Sequence, residues 1–184
     1  MNYQQIIFIR HFKPKIDKSR PITEWELDDD AILEMEQRIS KINFKNIEKV
    51  FTSPEKKALT TAKFIANNLN IRLIVTDNLK EVDRSKTGFI EGDYKQIVKD
   101  YFTAHNFKYE WEPLEKVKER IKRFLITIKD EGNDIVVVSH GMYLSILLSP
   151  YFQKDIVSFW NDLKLGEIIT VKKNRLLELW GILC

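Results

Sequence analysis

The sequence predicts an α/β protein: a three-layer sandwich with a mainly parallel central sheet and helices on both faces. Three observations carry that expectation. Short continuous apolar runs, IIFI at residues 6–9 and DIVVVS at 134–139, read as strands buried on both faces. Between such runs, apolar residues recur at three- and four-residue steps, the pattern of helices with one buried side. The two patterns alternate along the chain, as they do where helices cross over between parallel strands.

In order, residues 6–9 form the first strand, and Ile32, Met35, Ile39 and Ile42 mark the buried stripe of a first helix. IEKVFT at 47–52 reads as a second strand. Ser53 is placed to cap the next helix, and Pro54 suits its first position. Ala58, Leu59, Ala62, Ile65, Ala66 and Leu69 give that helix its apolar side. IRLIV at 71–75 is a third strand. Residues 84–113 differ in being polar and aromatic, and are expected to form a helical excursion outside the sheet, a cap on a single domain spanning 1–184. Within it, Tyr94, Ile97, Val98, Tyr101 and Phe102 form a stripe that more often means helix packing than a substrate pocket. After the strand at 134–139 comes an apolar segment at 142–148. Residues 167–173 and 175–183 read as a terminal strand pair turning around Asn174.

Composition bounds the function. With 184 residues, 43% hydrophobic and 31% charged, the chain can bury a full core unaided. A net charge of +3 does not call for a nucleic-acid partner. The one cysteine, Cys184, excludes an intramolecular disulfide and suits a reducing compartment. The start of the sequence does not read as a secretory signal, and no apolar run approaches the ~20 residues that span a bilayer. The expectation is a cytoplasmic protein without a membrane association; its oligomeric state is not legible.

Open α/β sheets collect ligands at the carboxyl ends of their strands. There the sequence places Arg10 and His11 after the first strand, Ser53 and then Lys57 after the second, Glu81 after the third, and His140-Gly141 after DIVVVS. A lone histidine in such a place is more often a capping or core residue than a catalyst. Two of only three histidines at equivalent strand ends make coincidence less attractive. His105, in the excursion, reads as a surface histidine. Lys57 or Glu81 alone would be a solvated charge, and their claim rests on their company.

Zinc-type His and Cys spacings are absent, as are glycine-rich nucleotide loops, so no metal and no cofactor are expected. Arginine and lysine beside paired imidazoles suit a phosphoryl group, which arginine grips through a planar fork and lysine meets as a point charge.

IFIRHF, TSPEKKALTTA, LKEVDRSKTGFIEG and IVVVSHG, in that order, resemble the motif series of the histidine phosphatase (phosphoglycerate mutase-like) superfamily. The resemblance runs from about residue 6 to residue 141. It implies a phosphoglycerate mutase-like fold, with His11 as the nucleophile that takes the phosphoryl group. It further implies that Arg10 and His140 hold the transferring oxygens, that Lys57 binds phosphate, and that Glu81 moves the proton. The implied activity is metal-independent hydrolysis of a phosphomonoester, with a small phosphorylated metabolite as substrate. The alternatives are a phosphate-ligand binding or regulatory protein with degenerate activity, and a mutase-type phosphotransferase.

Two positions depart from the family pattern. Phe12 stands where glycine is usual, and is expected to narrow the pocket or give it an apolar wall. Lys57 stands where arginine is usual, keeping the charge but losing the fork, so weaker phosphate binding is expected. Lys13, Lys15, Lys18 and Arg20 read first as a solvated basic loop, and second as recognition of further negative charge.

Overall fold

The computed structural model describes residues 4–42, 44, 46–104 and 107–183. His105 and Cys184 lie outside the described residues.

The first strand, β1 (Gln5–Arg10), is apolar without interruption because both of its faces are covered. Ile6 and Phe8 join a core on one side of the sheet, Ile7 and Ile9 a second core on the other. The same alternation splits β4 (Asp134–Ser139), with Ile135 and Val137 on the first side and Val136 and Val138 on the second. Between them in sequence lie β2 (Ile47–Thr52) and β3 (Arg72–Val75), and near the end β5 (Ile168–Lys172). The sheet order among the described residues is β3-β2-β4-β1-β5. The first four run parallel, and β5 lies antiparallel against β1.

One layer comprises α1 (Asp29–Ile39) and α2 (Lys56–Leu69), which bury Met35, Ile39, Ala58, Ala62 and Ile65 against the second core. The Asp28 side chain caps α1 by accepting the Asp30 amide. At the end of α2, Asn70 takes a left-handed conformation, φ 51°. The opposite layer comprises α3 (Tyr94–Thr103), α4 (Leu114–Ile128), α5 (Gly141–Leu148), α6 (Ile156–Asp162) and α7 (Lys173–Leu179). All eight residues of α5 are buried, so its apolar run needs no polar face. The expected three-layer α/β architecture is observed.

Boundaries differ from the expectation in three places. Helix α1 stops at Ile39, so Ile42 falls in the turn beyond it. Helix α2 opens two residues late, because Glu55 rather than Ser53 holds the cap position; Ser53 Oγ instead accepts the Glu55 amide at 3.2 Å and shapes a turn with Pro54. The segment after Asn174 is helical, not the second strand of a pair. Leu176, Leu177 and Trp180 fall at helical spacing against the first core, and Lys173 donates its ammonium to the main-chain carbonyls of Lys129 and Glu131.

In the excursion, Val98 and Tyr101 are buried, and Ile97 and Phe102 pack partly against the core. Tyr101, Phe107 and Trp111 form a ring cluster with centroids 5.0–5.4 Å apart. Tyr94 is the exception, 37% exposed.

Candidate active site

Register brings the two histidines together. Arg10 pairs with Ser139 across the parallel β1–β4 ladder, so the next residues, His11 and His140, leave the sheet side by side. The His11 amide donates to the Ser139 carbonyl at 3.0 Å, and the two imidazole centroids lie 5.1 Å apart. Strand β2 flanks β4 on the other side and delivers Glu55 and Lys57 at the start of α2.

Arg10, His11, Lys57 and Glu81 line one cavity of about 720 Å³. His140 stands directly behind, fully buried. The structure thus brings all five sequence-chosen residues into one neighbourhood, four on the cavity wall and one supporting it.

The His11 ring is fixed by its own backbone. Its Nδ1 lies 2.7 Å from the Phe12 carbonyl oxygen, which can only accept, so Nδ1 carries the hydrogen. Burial first, then the charges of His140 and Lys57, push the His11 pKa well below its ordinary value, with the Phe12 carbonyl opposing. The ring is therefore neutral near pH 7, with its lone pair on Nε2. His140 is lowered likewise, by burial first and then by Lys57 and Arg84. Neither His140 nitrogen has a hydrogen-bond partner among the described residues, and the same holds for buried Arg10 Nε. Arg10 Nη1 donates to the Leu163 carbonyl. A Cβ on Gly141 would lie 2.9 Å from Arg10 Cζ, so the absence of a side chain there makes room for the guanidinium.

Phe12 does not narrow the pocket, contrary to the sequence expectation. It is 1% exposed and turns into the second core, beneath the Arg38 guanidinium, 5.5 Å from its ring centroid. Gly166 makes that slot. It adopts φ +67°, and a Cβ there would meet Phe12 Cε1 at 2.6 Å. Its amide donates to the His11 carbonyl at 3.1 Å, bracing the same segment.

Glu55 escaped sequence reasoning. It is 5% exposed and its carboxylate has three neighbours. Oε2 accepts the Lys57 ammonium at 2.6 Å, Oε1 accepts the Glu81 amide at 2.9 Å, and Oε1 stands 3.6 Å from His140 Nε2. Lys57 also donates to the Ile22 carbonyl at 3.0 Å. The lysine therefore enters the site already ion-paired. In the sequence, Lys57 taken alone reads as a solvated charge and Glu55 carries no signal, and only the fold reveals that both turn inward.

Glu81 is held at the opening turn of α5. Its Oε1 accepts the amides of Tyr143 at 2.9 Å and Val82 at 3.0 Å, and Oε2 accepts that of Met142 at 3.1 Å. Arg84, also unforeseen, lines the cavity with its guanidinium 5.5 Å from the Tyr94 ring centroid and 5.3 Å from that of Trp111. Among the described residues, no group of three or more His, Cys, Asp or Glu side chains is arranged to hold a metal ion.

The sequence model of the histidine phosphatase superfamily (branch 1) matches residues 6–172. The chain belongs to that superfamily. Membership is consistent with the expected class of enzyme, a phosphoric monoester hydrolase. No curated protein sequence matches the chain. Similar solved structures include a phosphoserine phosphatase of Entamoeba histolytica in complex with 3-phosphoglyceric acid, with 20% identity and a TM-score of 0.69 over 91% of this chain and 89% of that one. Bacillus stearothermophilus YhfR has 18% identity and a TM-score of 0.74, covering 91% and 90%. A putative alpha-ribazole-5'-P phosphatase of Escherichia coli has 18% identity and a TM-score of 0.70, covering 92% and 90%. These likenesses establish a shared fold.

Proposed function

We propose that this member of the superfamily is a metal-independent phosphatase that hydrolyses a phosphomonoester through a phosphohistidine on His11. The observation that carries the reading is the His11 Nδ1 hydrogen bond to the Phe12 carbonyl. It leaves a lone pair on Nε2 in a neutral ring on the wall of a cavity that also holds Arg10, Lys57 and Glu81.

In the first step Nε2 attacks phosphorus, the ester P–O bond breaks, and the leaving oxygen takes a proton from the Glu81 carboxyl. In the second, Glu81 removes a proton from water, whose oxygen attacks phosphorus as the N–P bond breaks, releasing inorganic phosphate. Arg10 Nε and the one N–H of neutral His140 are the unpartnered donors for the transferring oxygens. Lys57 contributes a remaining N–H, its charge offset by Glu55.

That offset also supports the second reading, a protein that binds phosphate with degenerate turnover. The test is hydrolysis of a generic aryl phosphate in the presence of a chelator, with 32P-labelled substrate quenched in alkaline detergent. Turnover and an acid-labile, alkali-stable label on the chain, both lost in His11→Ala, are expected. Unchanged turnover in His11→Ala would refute the phosphohistidine, and saturable phosphate binding without turnover across a broad substrate panel would favour the binder.

A further inference from the structure

Away from the polar floor, the cavity is walled by apolar side chains that the fold leaves uncovered. Ile16 is 61% exposed, Phe89 39% and Tyr94 37%, and all three face this one space together with Ile22, Trp25 and Leu165. Large apolar groups left in water at one place mark a binding surface more often than chance exposure does. The Trp25 and Phe89 rings meet as a corner, centroids 6.0 Å apart and tilted by 48°. A space of about 720 Å³ belongs to the range that encloses ligands far larger than a phosphoryl group, typically about 300–1,000 Å³.

Two of the three cations at the rim are ion-paired, while Arg84, also on the cavity wall, donates to the Tyr94 hydroxyl and has no carboxylate partner among the described residues. Lys18 pairs with Glu91 at 2.7 Å and lies 4.8 Å from the Phe89 ring centroid. Lys13 pairs with Asp28 at 3.5 Å. Glu91 itself lines the cavity, so a second anionic group on the substrate would meet a carboxylate there. In the basic loop, Lys13, Lys18 and Arg20 are thus each paired, Arg20 with Asp17 at 3.4 Å, while Lys15 makes no ion pair among the described residues.

From this wall, we infer that this site prefers a phosphomonoester with an apolar leaving group of aryl size over one with a small polar or anionic leaving group. The inference rests on the reading of His11, Arg10 and Lys57 as the phosphoryl end. The phosphoryl group sits on the polar floor, the ester oxygen beside Glu81, and the aryl group against Trp25 and Phe89. Stacking and burial there contribute to binding in proportion to the apolar area covered.

The test compares alkyl phosphates whose leaving alkoxides are of similar basicity, so that chemistry does not mask recognition. 2-Phenylethyl phosphate is set against glycerol 3-phosphate and 3-phosphoglycerate. A kcat/KM at least about thirtyfold higher for the phenylethyl ester is expected. Phe89→Ser should raise KM for that ester by about tenfold with kcat little moved, narrowing the ratio between the two kinds of substrate. Equal or reversed preference, with turnover intact, would overturn the inference while leaving the phosphohistidine reading standing. Should no ester turn over, the phosphohistidine reading fails, and calorimetric binding of 3-phenylpropylphosphonate against 3-phosphonopropionate still decides the inference. Tighter binding of the aryl phosphonate supports it, and equal or weaker binding sinks it.

Discussion

Gly166→Ala tests how the His11 segment is held. The alanine must adopt φ +67°, a left-handed conformation that costs roughly 1–2 kcal/mol for a residue with a Cβ. Its methyl would also stand 2.6 Å from Phe12 Cε1 and 2.8 Å from Cδ1, inside a packed ring that has no free direction to move. Overpacking of this kind costs about 1–3 kcal/mol. Arg38 Nη1, at 3.0 Å, is the end of a flexible side chain and gives way easily. Stiffening of the unfolded chain returns ~0.4–1 kcal/mol. The net expectation for Gly166→Ala is a loss of about 3 kcal/mol. Phe12→Ala alone leaves a cavity in the second core and should cost about 4 kcal/mol. Their combination removes the collision but keeps the backbone strain, so the double variant should lose about 5 kcal/mol, not the additive ~7 kcal/mol. Urea unfolding of the four proteins measures the coupling directly. Strict additivity would refute the claim that the ring and the missing side chain share one slot.

Two further outcomes follow from the site. Glu55→Gln leaves the Lys57 ammonium buried without its counter-charge, at a cost of about 3 kcal/mol, and inorganic phosphate should then raise Tm more in the variant than in the parent; equal phosphate increments would show that Glu55 does not restrain Lys57. The two lowered histidines fix the sign of a pH effect. Unfolded, each takes up a proton as pH falls through about 6.5, while the folded rings do not until lower pH. Stability should be full above about pH 6.5 and should decline between there and pH 5 by up to ~1.4 kcal/mol per unit per histidine; a flat or rising urea midpoint over that interval would contradict the assignment.

The parts of this molecule that announce themselves in sequence are those where one-dimensional pattern and burial coincide. DIVVVS can only be a strand covered twice over, and its length in the structure matches the run of letters. Arg10, His11 and His140 were legible because polar residues ending such runs have one place to go, the sheet's carboxyl edge. Glu55 was illegible because two of its three partners, Glu81 and His140, lie in distant segments, and nothing local distinguishes it from its neighbour Lys56, which is half-buried. The direction of Phe12 was illegible for a related reason: its slot is made by Gly166, more than a hundred and fifty residues later in the chain, near Leu163, whose carbonyl accepts from Arg10. The terminal segment misled because Leu176 and Leu177 satisfy either period over so short a run.

The position of β1 between β4 and β5 also bears on how the chain acquires its form. Its ladder partners are made long afterwards, with Gln5 bonding to Asp134 across 129 residues. At ribosomal rates of about 5–20 residues per second, that gap is on the order of ten seconds during which the first strand has neither neighbour. Its apolar edges are an aggregation hazard for that whole interval, and non-local pairing of this kind folds slowly even afterwards. The segment bearing His11 leaves the ribosome well before either strand that will flank it.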